Sequence, residues 1–243
     1  MDLKKEAARR AYSLVENHGS VGLGDGMAVR QLASFIIAGM RNGLELKLYT
    51  SSLKTEAFLL ESGLQVHNIA DTDYLDQYFD GCDQIDHQLN ALKSGSGIHT
   101  REKLLASMAK QFFILADETK YTSSFDSRFP LVLEVLTGAE KFVSKEIVRL
   151  FPGTTLSIRT TPENENVRLC TRDGNYLMDC WFAEWPDAQT VQTRTRHITG
   201  VIEISLFYKL VFEAVIAGAK GIRRYQRKND LVELIGLEPL PTT

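Results

Sequence analysis

Cysteine is scarce in this chain: Cys82, Cys170 and Cys180 are the only three in 243 residues, unevenly spaced and without a C-x-x-C pair. That excludes a disulfide framework or a cysteine-based zinc site and points to structural thiols in a reducing compartment. The five histidines, His18, His67, His87, His99 and His197, share no ligand spacing, so no metal is expected, and no other cofactor. No Gly-x-Ser-x-Gly elbow appears, which argues against a serine hydrolase. No apolar run approaches the ~20 residues of a membrane span. The formal net charge is only −3, so there is no electrostatic footprint for nucleic acid or for an anionic membrane. The opening Met-Asp-Leu-Lys-Lys-Glu is charged where a signal peptide would be apolar, and the expectation is a soluble cytoplasmic protein.

What is present is an ordinary core allotment, 44% hydrophobic residues, with no internal repeat. Leu3, Ala7, Ala11 and Leu14 recur on one helical face, and Gly19 ends that helix. A short apolar strand over Ser20–Gly24 precedes a helix over Gly26–Met40, and a second strand, Glu45–Thr50, precedes a helix through Thr55–Glu61. A helix over Thr100–Lys110 and a strand over Gln111–Ala116 continue the alternation. Strands and helices at this spacing predict an α/β fold, a doubly wound and mostly parallel sheet. The pattern changes after Phe129–Pro130, so residues 129–203 are expected to form an inserted smaller α+β domain. Residues 1–128 and 204–220 would make the main domain, and 221–243 a C-terminal tail. That tail holds the basic run Arg223–Lys228 and the prolines Pro239 and Pro241, and reads as a loose solvated end or an oligomer contact.

The richest stretch runs from Asp80 to Lys103. Asp80 and Asp83 stand three apart after an apolar run, Lys93 precedes a flexible Ser94-Gly95-Ser96-Gly97 turn, and Glu102 falls in the first turn of a helix. Each has an ordinary reading: a solvated acidic turn, an exposed lysine, a carboxylate complementing a helix dipole. Together, at one sheet edge, they form a proton-transfer set. Gly22-Leu23-Gly24-Asp25-Gly26 joins a strand to a helix. Its amides could hold an anion, or Asp25 could cap the helix and occupy those donors itself. Val29 stands at the third glycine position of a dinucleotide fingerprint, so that motif is not met. Thr50-Ser51-Ser52 could offer hydroxyls to a sugar or cap the next helix.

These motifs, in order, resemble the type A ribose-5-phosphate isomerases over roughly residues 3–220. Asp80-Gly81-Cys82-Asp83 is similar to the family's Asp-Gly-Ala-Asp, and Lys93 to the lysine that opens its glycine loop, here altered by Ser94 and Ser96 around Gly95. Thr100-Arg101-Glu102-Lys103 resembles the segment whose glutamate is the base, and Ala116–Lys120 the strand end with a substrate-facing lysine, Lys120. Lys4 stands where the family has a lysine near the phosphate.

The resemblance implies metal-free interconversion of ribose 5-phosphate and ribulose 5-phosphate through an enediolate, by a homodimer or homotetramer whose partner is a small sugar phosphate. Glu102 would be the general base, Asp80 and Asp83 would bind hydroxyls, and Lys93 would offset charge. Substrate contacts are expected from Lys4, Gly24, Asp25, Gly26, Met27, Ala28, Ser51, Gly81, Cys82, Ser94, Gly95, Ser96 and Lys120. The phosphate loop departs from the family's Gly-x-Gly-Thr-Gly-Ser-Thr: Asp25, Met27 and Ala28 replace three hydroxyls. A carboxylate ~4 Å from a phosphate charge costs about 1 kcal/mol in water and about 4 at an effective dielectric of ~20. Two further readings follow: an isomerase of another sugar, with Asp25 accepting from a neutral hydroxyl, and a non-catalytic sugar-sensing relative.

Overall fold

The computed structural model describes residues 2–240. Five strands run parallel: β1 (Ser20–Leu23), β2 (Lys47–Thr50), β3 (Leu75–Asp80), β6 (Ala109–Asp117) and β15 (Glu213–Gly218), with β16 (Gly221–Lys228) and β17 (Leu231–Glu238) added antiparallel at one edge. The order is β17-β16-β15-β6-β3-β1-β2. Helices α1 (Leu3–Tyr12), α2 (Met27–Arg41) and α3 (Leu53–Glu61) cover one face, with Ala7, Leu32, Ile36 and Leu59 buried against Leu23, Leu48 and Phe113. The other face packs against α4 (His99–Met108), through Leu105 and Ala106, and against a four-stranded sheet, β14 (Leu206–Phe207), β5 (Ala91–Leu92), β4 (Gln84–Asp86) and β7 (Tyr121–Thr122). Because both faces are covered, the strand interior reads as a continuous apolar run, Phe112–Ala116, rather than alternating. Cross-strand ring pairs lock β3 to β6: Phe79 on Phe113 at 4.7 Å and Tyr78 on Phe112 at 5.2 Å, on opposite faces.

A separate antiparallel sheet holds β13 (Val201–Ile204), β8 (Leu131–Val135), β12 (Tyr176–Trp181) and β9 (Thr155–Ile158). Helices α5 (Glu140–Leu150) and α6 (Ala188–Arg196) pack on it through Val143, Ile147 and Val191, while the hairpin β10 (Thr160–Thr161) and β11 (Asn164–Arg168) projects from it.

The C-terminal segment departs from expectation. Residues 221–238 are not a loose end but the hairpin β16–β17 of the main sheet, and Pro241 lies outside the described residues. The basic run is half-buried strand: Arg224 pairs with the buried Glu213 (Nη2–Oε2 2.9 Å), Tyr225 stacks on Tyr121 at 4.9 Å, and Arg227 donates to the Val211 carbonyl. The partners sit on other elements of the fold, which is why composition alone suggested solvation. A turn signal was nonetheless legible: Asn229 and Asp230 both take positive φ, 47° and 65°, as a two-residue hairpin turn requires.

Candidate active site

The carboxyl ends of β1, β3 and β6 open onto a cleft of about 370 Å³. Its wall includes Lys4, Asp25, Gly26, Met27 and Ala28 from the β1–α2 side, Gly81, Cys82 and Asp83 after β3, and Asp117 and Lys120 after β6. Lys93, Gly95, Ser96 and Glu102 close it. Chain reversal between β1 and β3 leaves such an opening in doubly wound sheets, so the topology itself sets the place.

A buried charge cluster forms its floor. Lys93 Nζ lies 2.8 Å from Asp80 Oδ2 and 3.4 Å from Glu102 Oε1, and donates to the Gly81 carbonyl at 2.8 Å. Asp80 and Glu102 are both fully buried. Asp80 is saturated by protein: Oδ1 accepts the amides of Gly81 (2.7 Å) and Asp25 (3.3 Å), and Oδ2 accepts the Tyr78 hydroxyl (2.7 Å) as well as Lys93. It does not line the cleft, so the expectation that it binds substrate hydroxyls gives way to one of holding Lys93. Gly24 explains how it fits: a Cβ there would fall 2.1 Å from the Asp80 carboxylate. Gly24 is likewise off the cleft wall, being needed for this close approach.

Two carboxylates thus share one cation. Burial pushes Glu102 up to about 8, opposed by Lys93 and reinforced by the charges of Asp80 and Asp25. Burial works to lower Lys93, but Asp80 and Glu102 outweigh it and carry its pKa upward. Lys93 therefore stays charged and Glu102 is the group poised to exchange a proton. Glu102 Oε1 has no aligned hydrogen-bond donor, and Ser96 Oγ stands 3.5 Å from Oε2.

Asp83 organises the glycine loop. Its Oδ2 accepts the amides of Ser94 (2.6 Å) and Gly95 (2.9 Å), leaving Oδ1 toward the cleft without a protein hydrogen bond among the described residues. Ser94 is buried and donates to the Pro130 carbonyl, so it is a loop anchor and not a ligand contact. From the other sheet Arg159 donates to the carbonyls of Ser94 and Gly95 and pairs with Asp179 at 2.8 Å. No motif in the sequence announced Arg159, whose loop partners are distant in the chain, and Tyr78 read only as part of the apolar run leading into Asp80.

In the β1–α2 loop Asp25 does not cap α2, whose N-cap is Gly26 without a side-chain bond. Its carboxylate instead accepts the Gly26 amide at 2.8 Å and remains in the cleft wall. The N-cap at α3 is Ser52, which accepts the Thr55 amide at 3.2 Å. Ser51 is buried, off the cleft wall, with an unpartnered hydroxyl, so it is not placed to contact a ligand in the cleft. Lys120 donates to the Cys82 carbonyl, and burial raises the Cys82 thiol to about 12, which keeps it unreactive. Lys54, in the first turn of α3, joins the cleft wall without having been expected there. Among the described residues no three His, Cys, Asp or Glu side chains converge as a metal site.

Known proteins share this arrangement. The family model described as "Ribose 5-phosphate isomerase A (phosphoriboisomerase A)" matches residues 47–221. A ribose-5-phosphate isomerase A from Nitrobacter hamburgensis is 31% identical over 230 residues, spanning 93% of this chain and 98% of its own. One from Methanothermobacter thermautotrophicus is 32% identical over 225 residues, spanning 92% and 97%. Among solved structures, ribose 5-phosphate isomerase A from Methanocaldococcus jannaschii superposes with a TM-score of 0.84 at 26% identity, covering 93% of this chain and 99% of that one. The Plasmodium falciparum enzyme gives 0.85 at 26% identity, covering 93% and 98%. The family model spans well over half of the chain and relatives above 30% identity match nearly all of it, and this chain therefore belongs to the ribose 5-phosphate isomerase A family.

Proposed function

We propose that the cleft interconverts ribose 5-phosphate and ribulose 5-phosphate, with Glu102 moving the proton between C1 and C2. The observation that carries this is the buried Glu102, raised to about 8 beside a charged Lys93. A base with a pKa near the working pH both removes and returns a proton efficiently, typically for ~10²–10⁴-fold in rate. Lys93 Nζ neutralises charge on the enediolate oxygen, and Asp80 keeps that cation in register. Asp83 Oδ1 and Ser96 Oγ bind the sugar hydroxyls and assist ring opening. Lys4, Lys120 and the backbone amides of Met27 and Ala28 that open α2 engage the phosphate. A protein that only sensed sugar would have no use for a buried carboxyl held this way.

The enzyme would work in the cytoplasm, as a homodimer or homotetramer. No helix of the described residues is long and apolar enough to cross a membrane. Self-association is supported by β17, an edge strand whose Leu231, Leu234 and Leu237 are exposed. The division into a main domain and an inserted domain is supported by a separate core around β8 and β12, which also takes in Leu92, Phe125 and Leu206, and the hairpin after residue 220 joins the main domain.

The test is direct: purified protein and ribose 5-phosphate, with ketose formation followed continuously. Turnover above ~1 s⁻¹ supports the assignment, since enzymes commonly run at 1–10³ s⁻¹. Turnover of free ribose but not of its phosphate would overturn it.

A further inference from the structure

The loop end of the cleft is poor in side-chain donors. Met27 and Ala28 open α2 with backbone amides but no hydroxyl, the Gly26 amide is already taken by the Asp25 carboxylate at 2.8 Å, and the Asp25 amide is directed to Asp80 at 3.3 Å. A dianionic ligand entering there meets a carboxylate first. Something has to offset that charge, and it must come from outside the loop.

Lys54 is the cation in position to do so. The first turn of α3 is tied to the loop by Thr55, whose buried hydroxyl donates to the Gly24 carbonyl at 2.7 Å. This places Lys54 in the same wall as Asp25, Gly26 and Met27, between the cleft and an adjoining pocket of about 300 Å³. It is exposed and forms no ion pair with a carboxylate among the described residues. A cation in a first helical turn opposes the helix dipole, so helix stability does not account for it. The neighbouring Arg30 is engaged elsewhere, with its guanidinium 4.2 Å over the Phe58 ring.

Charge balance shows what Lys54 adds. Four lysines and four carboxyl side chains line the cleft, but Lys93 is committed to the buried Asp80, so with Glu102 protonated the remaining three lysines just balance three aspartates. Neutralising Lys54 would leave the cleft with a net negative charge.

We propose that Lys54 is a specificity-determining residue: it holds the substrate's phosphate at the loop end of the cleft by charge, where the loop offers no side-chain donor. This rests on the sugar-phosphate reading above. Recognition by a mobile ammonium next to a carboxylate is electrostatic, so it weakens with ionic strength more than a cage of hydroxyl and amide donors would.

The experiment compares wild type, Lys54→Met and Lys54→Arg in steady-state kinetics with ribose 5-phosphate between 20 and 500 mM salt, with inorganic phosphate as competitive inhibitor. Lys54→Met should raise KM and the phosphate inhibition constant about tenfold or more at low salt, with kcat within about threefold and a flatter salt dependence. Lys54→Arg should recover most of the affinity. The preference for ribose 5-phosphate over free ribose should shrink in Lys54→Met by the same factor as KM rises. Unchanged KM and phosphate inhibition in Lys54→Met would overturn the proposal, as would a fall in kcat with KM intact. Should wild type not turn over ribose 5-phosphate at all, the isomerase reading fails by itself. Calorimetric titration of inorganic phosphate into wild type and Lys54→Met then decides: about tenfold weaker binding in the variant upholds the role of Lys54, and equal or absent binding in both rejects it.

Discussion

Glu102 Oε1 lies 3.4 Å from Lys93 Nζ, and the same ammonium is held more tightly, at 2.8 Å, by Asp80. One cation between two buried carboxyl groups cannot fully neutralise both, and the less tightly held one keeps its proton to higher pH.

Glu102→Gln removes the proton carrier and keeps the shape. We expect kcat to fall ~100-fold or more with KM changed by less than about threefold. The wild-type kcat/KM should rise with pH along an acid limb near 8, because Glu102 must lose its proton to act as the base. Its folded pKa is raised above the ordinary 4.5, so its contribution to stability is fully present below about 4.5 and is lost as pH rises through about 8. Glu102→Gln should therefore gain stability relative to wild type between pH 6 and pH 9 in denaturant melts. A wild-type pH profile flat between 6 and 9 contradicts the role given to Glu102.

Asp80→Asn tests positioning against direct substrate contact. Without Asp80, Lys93 is left to Glu102, and a carboxylate that raises Glu102 is gone. The acid limb of kcat/KM should move to lower pH, and stability should fall by about 3–5 kcal/mol from the broken buried pair. A large KM increase with the limb unmoved would mean that Asp80 touches substrate after all.

Gly24→Ala introduces a Cβ 2.1 Å from the Asp80 carboxylate, closer than any real contact allows. Overpacking of this kind costs about 1–3 kcal/mol. Displacing Asp80 also displaces Lys93, so kcat should drop at least tenfold, measurable beside thermal melts. Gly26→Ala, with no atom near its Cβ but φ at +103°, should lose stability through strain alone.

Arg224→Ala leaves Glu213 buried and unpaired in β15. A loss of about 3–5 kcal/mol in denaturant unfolding is expected, with kcat of the folded fraction unchanged because neither residue lines the cleft. A loss under 1 kcal/mol would show that the C-terminal hairpin is not a structural part of the main sheet.

The chain itself determined the α/β alternation, because a helical period is written directly in the positions of Leu32 and Ile36, and a buried parallel strand in the unbroken apolar run Phe112–Ala116. It also displayed Asp80, Asp83, Lys93 and Glu102 within a span short enough to be noticed as a set. It could not show that Asp80 is saturated off the cleft wall, that Ser94 anchors its loop to Pro130, or that Ser51 is buried, because those facts depend on how the fold returns the chain on itself, as where the Asp25 amide and Pro130 reach Asp80 and Ser94. The basic run Arg223–Lys228 looked solvated for the same reason: its counter-charge, Glu213, sits on a neighbouring strand. Local patterning follows from a residue's own geometry, whereas burial, proton affinity and access to the cleft are set by which distant groups the fold brings within about 4 Å of one another.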